Sequence, residues 1–193
     1  EMCIRDRWQD CPAGQLLTVT PLAAVAVCRA VESLCGTDCG IKWCNDVVLH
    51  GKKLCGILTE SSLLPDGSAA WLVVGIGVNV GQASFPPDIA DMATSLALQE
   101  LDVSPDALAD AILAQLTALR TVLTDPAEWL AEYCRRCVNL GRPVRVLRGN
   151  TVRQATALAI DEQFGLTVQY ENGEMETVRS GEVSVRGLYG YIE

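Results

Sequence analysis

Three apolar runs, residues 41–49, 53–60 and 70–80, follow one another closely, and the joints between them leave this part of the chain few ways to fold. The joints "HGK" and "LLPDGSA" carry Gly, Pro and Asp, which supply the backbone conformations that reverse a chain. Runs of this length divided by such joints predict an antiparallel meander. If 41–49 pairs with 53–60 across His50–Lys52, then Lys42, Asn45 and Asp46 lie along the first strand and its exit, and Lys53 opens the second. Polar groups then gather at one edge of an apolar sheet. Gly56 interrupts the second strand, and Gly75 and Gly77 interrupt the third, which ends at Asn79. A mid-strand glycine forfeits packing, which makes sense where a ligand or a second backbone approaches closely. Side by side, these strands read as a floor for a flat apolar ligand, with a bulge or a bulky core neighbour as the structural alternative. The lysines have the alternative of a solvated turn. "GIGVN" lacks the third glycine and the following helix start of a dinucleotide fingerprint.

Helical periods flank this meander. Residues 21–35 open with Pro21 at a first helical position, place Leu22, Val25, Ala26 and Val31 near one face, and stop at Gly36. Ser104 and Pro105 start a second helix, with Leu108, Ile112, Leu116 and Leu119 at spacings of three and four. Asp125–Glu128 start a third, running through "WLAEYCRRCVNL". Past Gly141 the period of 3.6 gives way to a period of two, broken by Gly and Asn. This predicts a small closed β-barrel after a boundary at 138–141. The fold class is therefore α+β: a mixed or antiparallel sheet with packed helices, then a barrel.

The chain has 193 residues, 49% of them hydrophobic, and a formal charge of −9, a globular composition without the basic face that broad capture of nucleic acid needs. A small molecule or another protein is the expected partner. No unbroken run of eighteen apolar residues occurs, and the first ten residues resemble no leader, so the chain reads as cytoplasmic with no membrane association. Nine scattered cysteines read as reduced thiols. Cys134–Cys137 has the CxxC spacing but no second such pair, and the single histidine, His50, sits in a polar turn, so neither a structural metal nor a His-activated nucleophile is expected.

Taken together, the motifs resemble the biotin protein ligase family. Its K-W-P-N-D stands here as Lys42-Trp43-Cys44-Asn45-Asp46, its K-x-x-G-I-L-x-E as Lys53 to Glu60, and its G-I-G-x-N as Gly75 to Asn79. "FPPDIADMATSL", from Phe85 to Leu96, is similar to a further family segment, and 141–193, with its closing "SGEVSVRG", to the family's SH3-like C-terminal barrel. The first motif carries Cys44 in place of proline. The family's G-R-G-R-x-G-R loop, which folds over biotin and the adenylate, is not found in this sequence, nor are the Ser-Thr and Gln positions that bind the biotin ureido ring. The resemblance therefore implies the later part of a catalytic domain in 1–139, with residues 1–10 unmatched and read as a junction, followed by the barrel in 140–193.

The resemblance implies an ATP-dependent ligase forming a C–N bond. Biotin and ATP give biotinyl-5'-AMP, and biotin then passes to a lysine of the biotin carboxyl carrier protein of acetyl-CoA carboxylase. In that scheme Lys53 is the catalytic cation and Asp46 orients the acceptor lysine. Lys42 and Asn45 belong to the rim, while Gly56, Ile57, Leu58, Gly75 and Gly77 line the biotin floor. Asn79 is assigned to Mg2+ and the adenylate. Family likeness also implies a homodimer, and DNA as a partner only where an N-terminal winged helix is present. A lipoate-type ligase, a biotin-responsive repressor and a bare interaction module are the alternatives.

Overall fold

The meander has one more reversal than the sequence suggests. The computed structural model describes residues 2–9, 13–65, 69–123, 125, 127–179 and 184–187. The run 41–49 is not one strand but two, β2 (Gly40–Lys42) and β3 (Asp46–Leu49), turning through Trp43–Asn45. Asn and Asp favour turns over strand interiors, and here they end one strand and begin the next. Lys42 thus faces Asp46 across a hairpin instead of preceding it along a strand.

β4 (Lys52–Leu63) and β5 (Ala69–Val78) complete the expected meander. A strand the motifs do not announce, β1 (Met2–Trp8), runs antiparallel along β5 from Met2 opposite Val78 to Trp8 opposite Leu72. The residues read as a junction are therefore an edge strand, with Ile4 and Trp8 buried while Cys3, Arg5 and Arg7 face out. The sheet order is β1-β5-β4-β3-β2.

Helix α1 (Leu16–Cys35) begins at Leu16, not at Pro21, which lies inside it. An internal proline removes one backbone hydrogen bond. Burial outweighs that loss here, because every residue from Thr18 to Cys28 is buried, and a helix apolar on all sides belongs in a core. By length and composition α1 is apolar enough to cross a membrane, yet most of it is covered by the rest of the protein. It packs on the sheet and against α2 (Pro105–Val122) and α3 (Ala127–Arg136). α2 buries the predicted Leu108, Ile112, Leu116 and Leu119, while Ser104 at its N-cap makes no side-chain capping bond. Of the third helix start, Pro126 lies outside the described residues.

One buried carboxylate fastens α3 to α1. Glu132 is 7% exposed and accepts hydrogen bonds from Arg29 (2.9 and 2.6 Å) and from Arg136 (2.9 Å). Arg136 also reaches Glu32 and the Cys39 carbonyl, and Arg29 lies 4.0 Å from the ring centre of Trp129. Burial opposes ionisation of Glu132, but the two guanidiniums outweigh it and hold its carboxyl below the usual range.

The second sheet comprises β6 (Pro143–Arg148), β7 (Thr151–Ile160), β8 (Leu166–Tyr170), β9 (Met175–Val178) and β10 (Ser184–Gly187), antiparallel in the order β10-β6-β7-β8-β9. Among the described residues β10 and β9 are its two edges, so the expected closure into a barrel is not part of this ladder. Residues 180–183 of "SGEVSVRG" lie outside the described residues. Val144, Val146, Ala157, Leu166 and Val168 join the same continuous core as the first sheet.

Candidate active site

An irregularity in β4 sets the site. Asp46 pairs with Gly56 and Val47 with Cys55, but Val48 pairs with Lys53, leaving Leu54 as an extra residue. In a regular strand, residues 53 and 56 would point to opposite faces. The bulge reverses that parity and re-aims Lys53, a use of bulges common near functional sites. The neighbouring segment holds the bulge, since the Lys53 amide donates to the Met92 carbonyl and its own carbonyl accepts from Thr94, 2.8 and 2.9 Å. "FPPDIADMATSL" thus supplies the missing strand partner for Lys53.

The lysine then folds back over Gly56 to Asp46. A Cβ on Gly56 would lie 3.2 Å from both Cε and Nζ of Lys53, so the glycine makes room for the ammonium. Nζ of Lys53 is 2.7 Å from Asp46 Oδ1, and Lys42 Nζ is 3.7 Å from Asp46 Oδ2. Asp46 and Lys42 are each 8% exposed, whereas the Lys53 side chain is 39% exposed and open to the cleft. An ammonium has three donors, so pairing with Asp46 leaves Lys53 able to meet an anion.

Beside it lies the floor. Gly56 faces Gly77 and Leu58 faces Gly75 across β4 and β5, giving a patch with almost no side chains. A cleft of about 410 Å³ opens over it, large enough for a small molecule. Lys53, Asn45, Gly56, Ile57, Leu58, Gly75 and Gly77 all line it. Ile57 shows only an edge, being 2% exposed, while Leu58 projects as a wall at 65%. Asn45 is fixed by its amide, which donates to the Ile57 carbonyl at 2.9 Å. Glu60, which closes the second motif, lines the cleft as well, and so do Arg5 and Val73, which have no place in the motif reading. Nothing in "CIRDRW" singles out Arg5, which stands in a run of three charged residues between Ile4 and Trp8.

Three expected site residues lie off the lining. Lys42 is beneath it, behind Asp46. Asp46 itself, expected at the mouth to orient an acceptor lysine, is buried between two ammoniums, so its geometry suits holding Lys53. Asn79 turns away: its amide donates to the Thr94 carbonyl at 3.0 Å, and its Oδ1 accepts from Gln82 at 3.1 Å. This fastens the 82–95 segment, and Asn79, which the resemblance assigns to Mg2+ and the adenylate, is not among the residues that line the cleft. His50 is exposed and hydrogen-bonded to Gln99. Burial pushes the thiols of Cys39 and Cys137 up to about 12 and about 11, which makes them inert core groups.

The profile of the Biotin/lipoate A/B protein ligase family matches residues 9–79, the span that holds the bulge, the lysines and the floor. That of the Biotin protein ligase C terminal domain matches 140–186. The "Bifunctional ligase/repressor BirA" of Bacillus spizizenii is 44% identical over 89 residues, 45% of this chain and 27% of that protein, so the chain spans about a quarter of that relative's length. The "Biotin--[acetyl-CoA-carboxylase] ligase" of Paracoccus denitrificans is 31% identical over 193 residues, 91% of this chain and 77% of the relative. The Biotin protein ligase of Aquifex aeolicus, solved in complex with biotin and ATP, superposes with a TM-score of 0.80 at 25% identity, over 97% of this chain and 79% of that one. In motifs, sheet and sequence likeness alike, this chain belongs to the biotin protein ligase family.

Proposed function

We propose that this chain carries the adenylate-forming site of a biotin protein ligase, with 1–139 as catalytic part and 140–193 as a small SH3-like C-terminal domain. The observation that carries the reading is Lys53: bulge-directed, lying over a glycine, paired to a buried carboxylate, and open to a cleft with a side-chain-free floor. In this reading biotin lies on Gly56, Gly75 and Gly77 with Leu58 as its wall. Its carboxylate attacks the α-phosphate of ATP, supplied as Mg·ATP, and pyrophosphate leaves.

Two anions must meet in that step, and the Lys53 ammonium offsets their repulsion and the charge that develops between them. A point charge with rotatable donors suits successive anions, first the carboxylate and then the adenylate phosphate. Asp46 holds the ammonium over the floor, and Lys42 balances Asp46 from behind. Asn45 stands at the rim within reach of the adenylate. In the second step the amine of a lysine on a biotin carboxyl carrier domain attacks the acyl carbon of the adenylate; the amide C–N bond forms, the acyl–phosphate C–O bond breaks, AMP leaves and the amine's proton passes to solvent. Magnesium would arrive on the nucleotide, with phosphate and water supplying most of its ligands, as hard, reluctantly dehydrated ions require.

The test is pyrophosphate release with Mg·ATP and either biotin or lipoate, using a version of the protein with a G-R-G-R-x-G-R segment joined ahead of β1. Turnover with biotin and little with lipoate is expected. Turnover with lipoate and none with biotin would move the protein to the lipoate side of the family, and inertness with both would remove the ligase reading.

Gly56→Ala supplies a finer check. Its methyl crowds the end of the flexible Lys53 side chain at 3.2 Å and meets Asp46 Oδ1 at an ordinary 3.8 Å, so stability is expected to change by about 1 kcal/mol. Lys53 is pushed off Asp46, and turnover is expected to fall tenfold or more, since misplacements near 1 Å cost on the order of a hundredfold. Thermal melting beside the release assay separates the two effects.

A further inference from the structure

The loop that presents Asn45 and Asp46 is held by the second sheet. Trp43, 4% exposed, donates its indole N–H to the carbonyl of Phe164 at 2.9 Å, and its backbone N–H donates to Asn139 Oδ1 at 2.7 Å. The hydroxyl of Tyr133 donates to the Cys44 carbonyl at 3.2 Å, and the Tyr133 and Phe164 rings meet edge to face at 5.3 Å. Both residues just before Asn45 are therefore pinned from outside the first sheet.

Phe164 is itself on a braced turn. Asp161 Oδ1 accepts from the amides of Gln163 (2.9 Å) and Gly165 (2.8 Å), and Arg179 donates to Asp161 Oδ2 at 2.8 Å. A Cβ on Gly165 would lie 2.7 Å from Arg179 Nη1 and 2.8 Å from Thr177 Cγ2, so the turn closes tightly on its arginine. Phe164 has φ of 60° and is 3% exposed, a left-handed conformation that aims its carbonyl and ring into the junction. Arg179 and Asp161 belong to the second sheet's loops, Trp43 to the catalytic hairpin.

We propose that Trp43 and Phe164 are positioning residues: the 161–165 turn, through the indole-to-carbonyl hydrogen bond, sets the Trp43–Asn45 reversal so that Asp46 meets Lys53. The inference rests on the ligase reading for its consequence in catalysis but not for its geometry. It assigns the second sheet a part in the chemistry through one buried contact. Neither residue touches the cleft, so neither is a catalytic residue.

The test reads Lys53 directly in the chain as it stands. Competitive acylation with acetic anhydride, quantified by mass spectrometry, reports how firmly each lysine nitrogen is engaged, with Lys52 as internal reference. Trp43→Phe keeps a ring and removes the donor. Tyr133→Phe removes only the hydroxyl and serves equally where Trp43→Phe does not fold. Both are expected to raise Lys53 acylation about threefold or more relative to Lys52, in the direction of Asp46→Asn, because a loosened carboxylate frees the amine. Trp129→Phe, a buried tryptophan change on α3 away from this loop, is expected to leave the ratio unchanged. In the version that turns over, Trp43→Phe is expected to lower kcat on the order of tenfold with KM for biotin within about twofold. An unchanged Lys53 ratio in both variants overturns the proposal, even where their melting temperatures fall. Loss of biotin turnover in the parent protein overturns the ligase reading alone, since the acylation ratio does not depend on it.

Discussion

Lys53→Ala is expected to lower biotin-dependent pyrophosphate release by about 10²- to 10³-fold, the usual loss when a group that stabilises developing transition-state charge is removed. The effect should fall on kcat, because the ammonium matters most where carboxylate and phosphate oxygens converge. Its side chain is 39% exposed and removing it leaves Lys42 beside Asp46, so little stability should be lost. Lys52→Ala is the matched control. It removes an equal charge one residue earlier, where Nζ donates to the Ala90 carbonyl at 3.1 Å, and is expected to leave turnover within about twofold. Equal losses in the two variants would show that bulk charge, not the bulge-directed ammonium, matters.

The largest effect on stability is expected from Glu132→Ala, about 3 kcal/mol at neutral pH, because it removes the carboxylate shared by two guanidiniums that are 28% and 11% exposed and leaves Arg29 without its ion pair, while Arg136 keeps Glu32. The pH dependence has a definite sign. The carboxyl lies below its ordinary 4.5 in the folded protein, so its contribution is complete above that value and is lost as pH falls through the depressed one. Denaturant unfolding of parent and variant should therefore give curves that are furthest apart near pH 7 and converge in acid. A gap that is constant down to pH 2, or widens there, would contradict this account of the α1–α3 contact.

The meander, α2 with its four buried apolar residues, and the switch from helical to alternating period after Gly141 could all be read from the sequence, because each is a local pattern repeated several times. What escaped depends on pairing. The bulge at Leu54 exists only relative to β3, and without it the face to which Lys53 points is assigned wrongly. Trp43–Asn45 looks like the middle of an apolar run until Asn139, Tyr133 and Phe164, about a hundred residues later, fix it as a reversal. Asn79 sits at the end of a glycine-bearing strand, and only the fold shows its side-chain amide engaged by Thr94 and Gln82. Residues 2–8 carry neither a motif nor a period of two, since three apolar residues are followed by three charged ones, and their strand is defined only by its pairing with β5.

The most direct test of the site is protection of Lys53. The version of the protein carrying the Gly/Arg-rich segment would be acylated with and without biotinyl-5'-AMP, and the rates at Lys53, Lys52 and Lys42 compared. The account predicts protection of Lys53 by about tenfold or more, with Lys52 unaffected, since only Lys53 reaches over the glycine floor. Adenylate that binds tightly yet leaves Lys53 as reactive as before would place the ligand elsewhere and contradict the account.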